Sequence, residues 1–195
     1  MGFLFPEMRL SDDLVRDLRR MNPWWEGEPL PVLPKTRRHL VGAIHRRLKS
    51  KLAPIVVVRG PRQIGKTIAQ LHVLQDLLDR GVAPNRILRV QCDELPEIAA
   101  FSEPILRLVD WYEDAVIGKT LNKAAHQGES AYLFFDEVQS LKDWAPQLKS
   151  LVDSSTVQVL VTGSSSLCLE LGRGLACRTT TIDAGTLLLT ENTGD

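Results

Sequence analysis

Gly60-Pro61-Arg62-Gln63-Ile64-Gly65-Lys66-Thr67 decides how this chain folds, because it fits the phosphate-loop pattern G-x-x-x-x-G-K-[ST] and directly follows the apolar run Pro54-Ile-Val-Val-Val58. Glycines let successive backbone N–H groups turn toward phosphate oxygens. Lys66 brings a mobile cation to the β- and γ-phosphates, and the Thr67 hydroxyl is a hard oxygen donor of the kind Mg²⁺ takes. Downstream, Ile68, Leu71, Leu74, Leu77 and Leu78 recur at helical spacing to Asp79, so a helix N-terminus is expected to face the phosphates. Strand, loop and helix together predict an ATP site formed by Gly60 to Ile68.

Working outward, more strand-like runs alternate with helical stretches. Arg86-Ile-Leu-Arg-Val90, Ala131-Tyr-Leu-Phe-Phe135, Val157-Gln-Val-Leu-Val161 and Arg178-Thr-Thr-Thr-Ile182 read as strands. Ser11-Asp-Asp caps a short helix that ends near Asn22-Pro23, and Lys35 to Lys51 places Leu40, Ile44 and Leu48 on one face. Phe101 to Leu121 is expected as one helix carrying Leu106, Val109 and Trp111 inward, Leu141 to Val152 as another, and Leu167 to Leu171 as a turn or two. Between the first two helices, Trp24-Trp25-Glu-Gly-Glu-Pro-Leu-Pro-Val-Leu-Pro34 is too proline-rich for helix or central strand. Its tryptophans either cover a base or pin the connector to the domain.

Such alternation predicts an α/β fold: a parallel sheet with helices on both faces and ligands beyond the carboxyl ends of the strands. At one such end stands Asp136-Glu137. An apolar strand closing on two acids suits Asp136 to Mg²⁺, usually through water, and Glu137 to polarising an attacking water. The second acid separates reaction classes, since a small-molecule kinase needs the metal held but has no use for a water-activating carboxylate. At another strand end, Thr162-Gly-Ser164-Ser165 offers hydroxyls that either sense the γ-phosphate or cap the next helix. Arg173 and Arg178 are candidates for supplying positive charge to the γ-phosphate, with ion-paired or solvated roles as the alternative.

With Leu133-Phe-Phe-Asp-Glu-Val-Gln139, Trp144 and Val161-Thr-Gly-Ser-Ser165 beside the glycine loop, the chain resembles the prokaryotic AAA-like P-loop ATPases, whose members join this domain to a C-terminal domain of unknown function. The resemblance runs from about Asn22 to Ile182 and includes Asn22-Pro-Trp-Trp25. It implies a three-layer P-loop NTPase sandwich with a five-stranded parallel sheet of order 5-1-4-3-2. It also implies Mg²⁺·ATP as cofactor, with Lys66 and Thr67 at the phosphates and metal, Asp136 on Mg²⁺, Glu137 as base and Ser164 near a sensor position. Leu175-Ala-Cys-Arg178 resembles the family's leucine-to-arginine motif, which favours Arg178 as the trigger arginine, although Cys177 stands where glycine is usual. The expected organisation is a helix and connector over 1–34, the ATPase domain over 35–183, and a tail over 184–195 that stops where relatives continue.

Composition bounds the remainder. Lys plus Arg and Asp plus Glu both number 24, yet residues 1–59 hold 12 basic against 6 acidic side chains. That excess admits nucleic acid as a partner through the 35–51 helix, with a solvated face as the simpler reading. An unknown protein partner, a missing C-terminal module and self-association stay open. Three separated cysteines, Cys92, Cys168 and Cys177, and four histidines without metal spacing point to no transition-metal site. No apolar run reaches about 18 residues and the N-terminus is too short for a signal peptide, so a cytoplasmic, membrane-free protein is expected. No guanine-reading N-K-x-D tetrad is visible, which favours ATP over GTP.

Overall fold

The computed structural model describes residues 10–50, 52–164, 175 and 177–185. Five strands, β1 (Ile55–Arg59), β2 (Ile87–Gln91), β3 (Ala131–Asp136), β4 (Val157–Gly163) and β5 (Thr179–Asp183), form one sheet of order β2-β3-β4-β1-β5. Every pair is parallel. This is the expected 5-1-4-3-2 sheet of the P-loop fold, read from the opposite edge.

Runs of Val, Ile and Phe form the central strands because both of their faces are buried. Alternate residues divide between two cores. Ile55, Val57, Leu133, Phe135, Val159 and Val161 pack with α1 (Asp12–Met21), α5 (Pro104–Tyr112) and α7 (Trp144–Ser154), while Val56, Val58, Phe134 and Leu160 pack with α2 (His39–Ser50) and α3 (Lys66–Asp79). Two short helices, α4 (Pro96–Ala99) and α6 (Leu121–His126), sit against the first core through Ile98 and Leu121. Among the described residues no helix is long and apolar enough to cross a membrane.

One helical expectation needs correction. The stretch 101–121 is not one helix: α5 starts at Pro104, widens into a π turn over Glu113–Ile117, and stops at Gly118, whose φ is 71°. Its buried face is Ile105, Leu108, Val109 and Tyr112, with Leu106 and Trp111 only half-buried. The helix expected after the loop is present as α3, which buries Ala69, Val73, Leu74 and Leu77 and leaves Ile68 exposed. Leu167 to Leu171 lies outside the described residues.

The connector pins an edge. β2 has a free outer side, and Asn22 closes it: its Nδ2 donates to the Arg89 carbonyl at 2.9 Å and to the Leu18 carbonyl at 2.7 Å, while its Oδ1 accepts from the Arg89 N–H at 2.7 Å. The indole N–H groups of Trp24 and Trp25 both donate to the Ile87 carbonyl, at 3.0 and 2.9 Å. Trp25 also stacks on Tyr112, with ring centroids 5.9 Å apart. The tryptophans therefore serve the sheet edge. Because Asn22 is fully buried, Asn22→Ala leaves backbone groups of β2 unpaired and is expected to cost about 2–4 kcal/mol, read from urea unfolding. An unchanged midpoint would mean the edge is held by the rings alone.

Candidate functional site

Three adjacent strands bring the predicted residues to one rim. The glycine loop leaves the carboxyl end of β1, Asp136 ends β3, and Ser164 follows β4, whose Gly163 is in register with Arg59. A cleft of about 390 Å³ at this rim is lined by Arg62, Gln63, Thr67, Asp136 and Glu137, together with Gln91, Asp93, Gln139 and Ser140.

The loop owes its shape to two demands on the backbone. Gln63 and Gly65 have φ of 61° and 82°, left-handed values separated by one residue, a pattern that turns N–H groups into a common concavity. Gly65 then stands as N-cap of α3 with no side-chain cap, so the first N–H groups of a 14-residue helix open toward the loop. Gly60 meets a different demand, for space: a Cβ there would lie 2.3 Å from the Ala184 carbonyl oxygen at the end of β5. Gly60→Ala is expected to lose about 3 kcal/mol of stability through overpacking, with the urea midpoint as the measurement. Retained stability would show that β5 yields at no cost.

Lys66 is 4% exposed, and its Nζ donates to the loop's own Gly60 and Pro61 carbonyls at 3.0 and 2.7 Å. No carboxylate pairs with it among the described residues. Ile64 is buried beneath the loop, and Ile68 occupies the exposed first turn of α3. Asp136 is 1% exposed, with both carboxylate oxygens engaged: Oδ1 accepts from the Thr162 hydroxyl, and Oδ2 accepts from Arg89 Nη2 at 3.3 Å. Glu137 adopts a left-handed φ of 50°, which turns it out of the strand direction, and its Oε2 accepts from Gln139 Nε2. Behind the rim, burial and then the charges of Asp136 and Asp93 push the Cys92 thiol far above its ordinary range, so it is no nucleophile.

Arg178 does not join this cluster. It precedes β5, its carbonyl accepts from the Ile55 N–H at the start of β1, and its guanidinium pairs with Asp153. It stands at the amino ends of the strands, a full strand away from the loop, so within one chain the fold does not bring it to the loop, and of the two sources expected for the arginine, the same subunit or a neighbour, the geometry leaves the neighbour. Cys177 before it has φ 70°, a conformation open to glycine and strained for other residues, which accounts physically for glycine at that place in the resembled motif. Arg173 lies outside the described residues.

Several partnerships were not anticipated, among them that of Thr162, expected as a strand-end hydroxyl, with Asp136. Arg89 interrupts an apolar strand, and Thr162 is fully buried; both are unusual choices that mark the Asp136 network. Arg37 and Arg38, read with the solvated charge of the 35–51 helix, are engaged instead. Arg37 forks onto Asp76 of α3 at 2.6 and 2.7 Å, and Arg38 donates to the Ile64 carbonyl of the loop and to the Gly185 carbonyl at 3.1 Å. Burial opposes ionisation of Asp76, yet hydrogen bonds from Arg37 and His45 outweigh it and hold the carboxyl below the ordinary aspartate range.

A family model described as an AAA domain matches residues 52–192. The chain belongs to this AAA domain family. An uncharacterized protein of Methanocaldococcus jannaschii is 28% identical over 134 residues, which are 64% of this chain and 24% of that protein. The AAA chain described here thus spans only about a quarter of that relative. Among solved structures, a Walker-type ATPase of Pyrococcus abyssi superposes with a TM-score of 0.51 at 14% identity, covering 83% of this chain and 58% of that one. C. elegans PCH-2 superposes less closely, with a TM-score of 0.47 at 17% identity over 74% of this chain and 39% of its own. At 14% identity the likeness to the Pyrococcus abyssi ATPase speaks for the fold alone.

The donor set fits a hard divalent cation. Thr67 and Asp136 present oxygen ligands to one cleft, and among the described residues no group of three or more His, Cys, Asp or Glu side chains could hold a metal alone. Two protein oxygens without a full cage suit Mg²⁺, which keeps waters and is usually completed by substrate phosphates.

Proposed function

We propose that this AAA domain binds Mg²⁺·ATP at the β1 loop and hydrolyses it to ADP and phosphate, acting as a switch or motor on a partner. The observation that carries the reading is Lys66: a buried cation, held among the described residues by carbonyls of its own loop alone, at the base of an uncapped helix N-terminus. Burying a cation without a counter-charge is costly, and a phosphate relieves that cost. Gly60 to Ile68 would wrap the phosphates, Thr67 and Asp136 would hold Mg²⁺, and the bound metal would neutralise charge on the phosphate oxygens. Glu137, whose carboxylate accepts a hydrogen bond from Gln139, would accept a proton from water. Ser164 follows the strand beside the loop and is assigned to orient that water or to sense the γ-phosphate.

Phosphate release measured with ATP and GTP on the full chain tests the reading. Turnover with ATP that depends on Mg²⁺ supports it. Nucleotide binding without release under any condition would reduce the chain to a non-hydrolysing regulator.

A further inference from the structure

We propose that Arg89 is a positioning residue that stands in for the metal at Asp136, neutralising the carboxylate while the site is empty and yielding it when metal and nucleotide arrive. The proposal rests on the function proposed above. Arg89 is 7% exposed, and its guanidinium makes three contacts: Nε to Gln70 Oε1 at 2.9 Å, Nη2 to Gln91 Oε1 at 3.0 Å, and Nη2 to Asp136 Oδ2 at 3.3 Å. The ion pair is the longest of the three. Two neutral amide oxygens therefore keep the cation solvated without the carboxylate, while Asp136, almost wholly buried, has Arg89 as its one charge partner among the described residues. The main chain of residue 89 is fixed independently by Asn22, so exchange of the side chain leaves the strand edge intact.

A fixed positive charge beside a metal ligand has two opposite effects. It stabilises the empty protein by pairing a buried carboxylate, and it opposes the incoming cation. The same group thus sets the metal affinity at a moderate level and protects the vacant pocket from a lone buried charge.

The test measures Mn²⁺ binding by electron paramagnetic resonance at saturating ADP, with ADP affinity in EDTA measured separately. Arg89→Met is expected to tighten Mn²⁺ binding about 10-fold by removing the repulsion, with metal-free ADP affinity unchanged. In EDTA its melting temperature is expected to fall, and adding Asp136→Asn to Arg89→Met is expected to restore much of the loss, because the buried charge is then gone. A purely structural arginine would weaken metal binding or leave it alone, so Mn²⁺ binding in Arg89→Met that is equal to or weaker than wild type overturns the proposal. Should Arg89→Met not fold, Arg89→Gln, which can still meet Gln70, carries the same readout. Failure of wild type itself to bind ADP and Mn²⁺ would overturn both this inference and the function beneath it, and is recognisable as such because it precedes any substitution.

Discussion

Lys66→Ala is expected to weaken nucleotide binding by about 10- to 100-fold. A charge-assisted hydrogen bond to phosphate contributes roughly 1.5–3 kcal/mol, and each 1.4 kcal/mol is a factor of ten. The substitution removes the one cation that the loop itself encloses. It also frees the Gly60 and Pro61 carbonyls, which then need water or a rearranged loop to satisfy them. The measurement is a titration with a fluorescent ATP analogue, accompanied by urea unfolding to register any loss of stability. Affinity equal to wild type would mean that phosphates do not lie in this loop, and the functional proposal would fall with it.

Glu137→Gln is expected to leave ATP affinity near that of wild type while slowing phosphate release about 100- to 10,000-fold, the range over which a positioned general base contributes. The side chain is isosteric, and Gln139 can still hold it. The backbone at 137 already accepts a left-handed φ of 50°, so the change adds no strain of its own. Single-turnover and steady-state phosphate release, read beside binding, separate loss of chemistry from loss of substrate. Equal turnover in the two proteins would remove Glu137 from the base's role.

The sheet was legible because its strands are made of residues that tolerate burial on both faces, and because the glycine loop marks where the first of them ends. The rim was legible for a related reason: the loop that carries Lys66 leaves one apolar strand, Asp136 ends a second and Ser164 follows a third, and in a parallel sheet the carboxyl ends of the strands share one rim. What escaped notice depends on register and on which side chains meet across the fold. Arg89 lies mid-strand, and nothing local reveals that its neighbour in space is Asp136, 47 residues on. Arg37 and Arg38 look solvated until the loop and α3 are placed against them. Arg178 is the instructive case, since a residue that enters a parallel strand must sit at the amino edge, opposite the phosphates. Chain topology alone carried that placement within the chain.

The closure at Asn22 and the two indoles governs how copies of this fold can join. At positions 87 and 89 the border strand has its hydrogen-bonding valence already filled from within the chain, so a foreign strand gains nothing there unless it first ejects a carboxamide and two large rings. Lateral growth of the sheet is refused on that flank, and any assembly of these domains must be built through side-chain surfaces or from the opposite margin.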